Sequence, residues 1–152
     1  MDFETLDKIA DSYIPFLAVV FFGGLAFRAV RRAEERRYLM RVFLFFSGML
    51  LVSYGIMFLD RALHLWASAG LDYSAHAAVA LTLVMSLCAL WRQIWTVFVG
   101  SLVVYGLLML YQKYHSLADL VSTVVPIAFL ALLLGKFLFG PGRARKSIES
   151  GP

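Results

Sequence analysis

Residues 27–42, FRAVRRAEERRYLMRV, carry six arginines (Arg28, Arg31, Arg32, Arg36, Arg37 and Arg41) between two long apolar runs. Lys and Arg are retained on the cytoplasmic side of short loops between membrane helices. The stretch therefore reads as an inner loop of a membrane protein, and it orients everything around it. It is also a basic, lipid-facing loop, in which Glu34 and Glu35 interleave with Arg31, Arg32 and Tyr38 as charge pairs in water.

Working outward, the 152-residue chain is 61% hydrophobic and 16% charged, well outside the range of a soluble domain. Five apolar tracts follow one another at roughly 13–30, 41–65, 74–91, 94–113 and 117–139. Each is near the ~20 residues needed to cross ~30 Å of hydrocarbon. The third and fourth are separated only by Trp91, Arg92 and Gln93. One unbroken helix over both would be about 60 Å long, twice the bilayer core, so a tight hairpin is expected there. Trp91 and Trp95 would lie at the interface, where indoles are favoured.

The expected fold is an all-α integral membrane protein: a five-helix transmembrane bundle over 1–139, N-terminus out and C-terminus in. The Arg28–Arg41 loop, Arg92 and the tail with Arg143, Arg145 and Lys146 all fall inside. The acidic N-terminus and the Asp60–His76 and Lys113–Asp119 connections fall outside. Residues 1–14 place Phe3, Leu6, Ala10 and Tyr13 at helical spacing, which predicts a short interfacial helix before the chain turns into the membrane near Pro15. An acidic start is not a signal peptide, so insertion by the first helix is expected. The tail over 140–152 is rich in Gly, Pro and polar residues and is expected to be a disordered cytoplasmic extension.

The formal charge of +4 is not a nucleic-acid signal, because the basic residues cluster where the membrane rule puts them. The single cysteine, Cys88, excludes an intramolecular disulfide and a cysteine metal site, and it reads as a packing residue. No Asp, Glu, His, Lys or Arg lies near the centre of any tract, which argues against a proton pump or coupled transporter. No nucleophile turn, phosphate loop or zinc-protease motif is present, so no catalysis is expected. Small residues (Gly23, Gly24, Ser47, Gly48, Gly55, Gly100, Ser101, Gly106) predict close helix packing, within the bundle or with a partner. Thr82, Ser86, Ser101 and Tyr105 are expected as interhelical hydrogen-bond partners. Pro126 frees the carbonyl of Ser122, so a kink eased by the Ser122 and Thr123 hydroxyls is expected.

One polar constellation stands out. Each histidine has an aspartate four residues away: Asp60 with His64, Asp72 with His76, and His115 with Asp119. Inside a helix this spacing stacks two side chains on one face, and imidazole with carboxylate can ligate a transition metal. His64, His76 and His115 are thus candidate ligands, with Asp60, Asp72 and Asp119, for an outer metal or haem. Three functions follow in order. The first is a small multi-pass protein of the cell (plasma) membrane acting as a non-enzymatic accessory, sensory or scaffolding subunit, with the bilayer and another membrane protein or a second copy as partners. The second is a metal- or haem-binding membrane protein. The third is a carrier for a neutral or lipidic substrate beside Ser122, Thr123 and Pro126.

Overall fold

The computed structural model describes residues 3–140, and among them the only regular structure is helical. Four helices are long and apolar enough to cross a membrane: Thr5–Arg31, Arg36–Leu63, Arg92–Tyr111 and Leu117–Phe139. They belong to α1 (Phe3–Arg31), α2 (Arg36–Leu63), α5 (Trp95–Tyr111) and α6 (Leu117–Phe139). Between α2 and α5 lie a single turn, α3 (Leu65–Ser68), and the shorter apolar helix α4 (Ala75–Leu90).

That short helix is the centre of the molecule. It has 16 residues, about 24 Å at 1.5 Å per residue, and most of them are buried. It packs on α1, α2, α5 and α6. Its sequence, AHAAVALTLVMSLCAL, is apolar all round, as a helix enclosed by others must be. The outer helices carry apolar residues on their outward faces as well; Val19 is 72% and Leu51 76% exposed, as a lipid-facing surface requires. Successive long elements alternate in direction. The Arg31–Arg36 turn, the turn after Leu90 and the end of α6 therefore share one end, which is rich in arginine.

The expected break between the third and fourth tracts is present. Trp91 leaves helical geometry (φ −126°, ψ 66°), and a 3₁₀ turn over Arg92–Ile94 leads into α5. The expected separate N-terminal helix is not present. α1 runs 29 residues without interruption, and Pro15 lies in its interior rather than at its start. Tertiary contacts account for this: Ala10 is buried with Tyr105 and Met109, and the Tyr13 ring stacks on Tyr105 at 4.3 Å. The Tyr13 hydroxyl also hydrogen-bonds Ser101 Oγ at 2.9 Å, which holds the first turns of α1 along α5. The expectation for the tail beyond Gly140 lies outside the described residues.

The small residues divide into two groups. A Cβ on Gly24 would meet Trp91 Nε1 at 3.0 Å and Leu90 Cδ2 at 3.2 Å, and one on Gly48 would meet Leu134 at 3.0 Å, so both permit close packing inside the bundle. Gly23, Gly55, Gly100 and Gly106 would meet nothing within 4 Å. Of the four expected interhelical hydrogen-bond partners, Thr82 and Ser101 make such bonds, Ser86 bonds within its own helix, and Tyr105 meets Tyr13 by ring stacking. Ser53 bonds Thr82 at 3.1 Å between α2 and α4, and Ser86 donates back to the Thr82 carbonyl at 2.7 Å. Cys88 is half-buried, with its thiol 3.8 Å from the Trp95 carbonyl.

Gly24→Leu is expected to lower the apparent unfolding temperature in detergent by overpacking worth roughly 1–3 kcal/mol. Gly23→Leu, one residue away in open space, is expected to leave it unchanged or raise it. Circular dichroism melts of the two variants check the contrast.

Candidate functional sites at the two ends of the bundle

The six His and Asp residues singled out in the sequence all lie at the end opposite the arginines, but they do not form one site. Four-residue spacing defines a shared face only within a continuous helix, and each pair straddles a helix boundary. His64 ends α2 in the left-handed region (φ 52°). Asp72 lies before Ser74, the N-cap of α4, and His115 lies before Ser116, the N-cap of α6. Among the described residues no three of His, Cys, Asp and Glu come together as metal ligands. The expected metal cluster of His64, His76, His115, Asp60, Asp72 and Asp119 is not assembled.

Two of the carboxylates hold backbone instead. Asp60 Oδ1 accepts from the Trp66 N–H at 2.8 Å, fixing the turn after α2. Asp119 Oδ2 accepts from the Ser116 N–H at 2.8 Å while Ser116 Oγ accepts from the Asp119 N–H at 3.1 Å, a reciprocal capping box. Asp119 Oδ1 also takes the Asp72 N–H at 2.8 Å. The α2–α4 connection is thereby fastened to the start of α6, and two further bonds repeat the link. Thr123 Oγ1 accepts from the Ser74 N–H at 3.1 Å, and Trp66 Nε1 donates to Ser122 Oγ at 3.0 Å. The Ser122 hydroxyl itself donates to the Asp119 carbonyl at 3.0 Å. The Ser122 hydroxyl is therefore turned to the Asp119 carbonyl and not to its own, which Pro126 frees. Tyr73 completes the connection, donating to the Ser53 carbonyl at 2.9 Å. Burial, and then the nearby Asp60 carboxylate, pushes Tyr73 up to about 12, so it remains a donor.

Beside this fastening is a cavity of about 220 Å³ lined by Asp11, His76, Tyr105, Tyr114 and His115 among others. It brings two of the three histidines together, with an α1 carboxylate that the spacing argument did not include; His64 does not line it. His115 Nδ1 is buried with no hydrogen-bond partner among the described residues. On its rim Asp7 accepts from Gln112 Nε2 at 2.6 Å. A hydrogen bond to Asp7, with lesser contributions from burial and Asp11, raises the Tyr114 hydroxyl above the ordinary tyrosine value.

At the arginine-rich end one arginine behaves differently from the rest. Arg28 is largely covered, donates to the Leu90 carbonyl and pairs with Glu35, and its guanidinium lies 5.6 Å from the centre of the Trp91 ring and 5.8 Å from that of Tyr38. The Tyr38 hydroxyl donates to the Ala89 carbonyl. Arg32 joins Glu35 at 2.9 Å. Hydrogen bonds from Arg32 and then Arg28 hold the Glu35 carboxyl below the ordinary glutamate range. The expected charge pairing thus centres on Glu35, and Arg28 serves as a C-terminal cap of α4.

The third feature is a groove. α5 packs on α1 and α4, and α6 on α2 and α4, but α5 and α6 make no extended contact with each other. A cavity of about 260 Å³ opens between them, lined by Ala77, Val103, Gly106, Val121 and Val125 among others, with almost no polar surface. Compared with known proteins, the chain matches no family model, no curated protein and no solved structure.

Asp119→Ala is expected to destabilise the bundle by about 2 kcal/mol, the scale of a lost cap with charged hydrogen bonds, and to speed amide exchange at Asp72 and Ser116. Hydrogen-exchange mass spectrometry reads both. Glu35 has a lowered folded-state pKa, so its contribution is complete above the ordinary value of 4.5 and is lost as pH falls through the lower folded value. Acidification is therefore expected to depress the melting temperature of the wild type more than that of Glu35→Gln.

Proposed function

We propose that this chain is a multi-pass membrane protein with five crossings, N-terminus outside and C-terminus inside the cell membrane, and that it works as a non-enzymatic accessory subunit. Four crossings are the long apolar helices. The fifth is α4, which lies among them and continues their alternation of direction. The orientation rests on the arginine-rich end facing the cytoplasm.

The observation that carries the function is the groove between α5 and α6. Four helices surround α4, and the ring they form is open at one seam. There the surface is apolar, concave and bordered by Gly106, whose Cβ position is vacant space. A transmembrane helix of a partner fits such a seam, because helices associate in lipid through close packing at small residues rather than through a hydrophobic drive. Catalysis has no comparable support: Asp60, Asp119, Ser122 and Thr123 are engaged in the hydrogen bonds of the connections.

A photo-crosslinking residue placed at Val103 or Val121 is expected to give a discrete adduct in native membranes, with its mass reporting a second copy or another membrane protein. The same residue at Val19 on α1 is expected to give none, and Gly106→Leu is expected to suppress the groove adducts. Monomer alone from both groove positions would contradict the proposal.

A further inference from the structure

At the arginine-rich end a cavity of about 610 Å³ opens among α2, α4 and α6. Three cations line it, each from a different element: Arg41 from α2, Arg92 from the turn after α4, and Lys136 from the last turn of α6. Among the described residues no carboxylate lines it. The ion pairs at this end among the described residues join Arg28 and Arg32 to Glu35, and neither includes these three cations. Below the charged rim the walls are apolar, with Phe45, Met85 and Leu132 on three different helices.

We propose that this cavity binds one anionic phospholipid, its phosphate held by Arg41, Arg92 and Lys136 and one acyl chain lying along Phe45, Met85 and Leu132. Three cations around one opening, in no ion pair among the described residues, give it a positively charged rim that attracts an anion. Arg41 lies in the second turn of α2, near the end of a helix where a cation gains nothing from the dipole, so local helix stability does not account for it. Lys136 differs: the C-terminal turn of α6 favours a cation in any case. The apolar walls are what select a lipid over a soluble anion, since a free phosphate uses only the rim. Basic pockets between helices at headgroup depth are suited to this chemistry. Gly135 widens the slot; a Cβ there would meet only the Phe45 ring, at 3.7 Å, an ordinary contact. The site is independent of the groove proposed for a partner, which lies between α5 and α6, so either stands if the other fails.

The test is native mass spectrometry of the full chain in mild detergent, titrated with phosphatidylglycerol, with phosphatidylcholine, and with inorganic phosphate as competitor. One phosphatidylglycerol is expected to bind in preference to phosphatidylcholine and to resist phosphate. Replacing Arg41, Arg92 and Lys136 together by Gln is expected to weaken it on the order of 100-fold, about a factor of five per cation. Removing the same charge elsewhere, by Arg31→Gln, Arg36→Gln and Arg37→Gln, is expected to leave it within a few-fold. Gly135→Leu keeps every charge but fills the slot, and is expected to lose the lipid while the far-ultraviolet dichroism stays helical. Equal loss in the two triple variants would mean diffuse surface charge and overturn the proposal. So would displacement by phosphate, equal binding of the two lipids, or full retention by Gly135→Leu.

Discussion

The structure depends on one constraint, the need to satisfy the ends of a short helix buried in apolar surroundings. Every α-helix leaves its first N–H and last C=O groups without intrahelical partners, and in lipid or a dry core no water supplies them. A long transmembrane helix carries its ends out to the headgroups. α4, with 16 residues, is enclosed by four longer helices. At its start Ser74 accepts from the Ala77 N–H, and the Ser74 N–H is taken by Thr123. At its finish Arg28 and Tyr38 reach across to the Leu90 and Ala89 carbonyls. Neighbouring helices thus complete the central one at both ends.

Most of the other polar placements serve that arrangement. Asp119 closes the cap of α6 and fixes Asp72, so that Ser74 arrives where Thr123 can meet it. Glu35 holds the guanidinium of Arg28 in place, and Gly24 lets the Trp91 indole lie close to α1. Two carboxylates that look like chemistry in a list of residue types, Asp60 and Asp119, are here backbone partners. Outside that arrangement lie the open seam between α5 and α6, the cavity beside His76 and His115, and the three cations around the basic cavity, which join no ion pair among the described residues.

Much of the architecture was legible in the chain because hydrophobic length and arginine position are direct consequences of the bilayer. The break at Trp91, the Ser101 and Thr82 interhelical bonds and the central apolar tract all follow from that physics. The continuity of α1 did not, because its cause is tertiary: Tyr13 and Ala10 dock on α5, and Pro15 is accommodated within a helix held from outside. For the His–Asp pairs, a four-residue interval implies a face only when no helix end falls inside it, and each of the three intervals contains one. A signal for the correct reading was present: Ser116-Leu-Ala-Asp119 ahead of an apolar run has the form of a capping box. Nothing in the sequence singled out Arg28 from its five neighbours, since its role is set by where α4 stops.

The most direct test of the central claim is residue-resolved amide exchange across α4 in the Arg28→Leu/Tyr38→Phe double variant. Loss of the two caps is predicted to raise exchange in the last turn of α4 and at Trp91, whose N–H bonds the Leu87 carbonyl, while the middle of α4 and all of α5 keep their protection. Unchanged exchange at the end of α4 would show that it needs no partners from its neighbours, and would contradict the account.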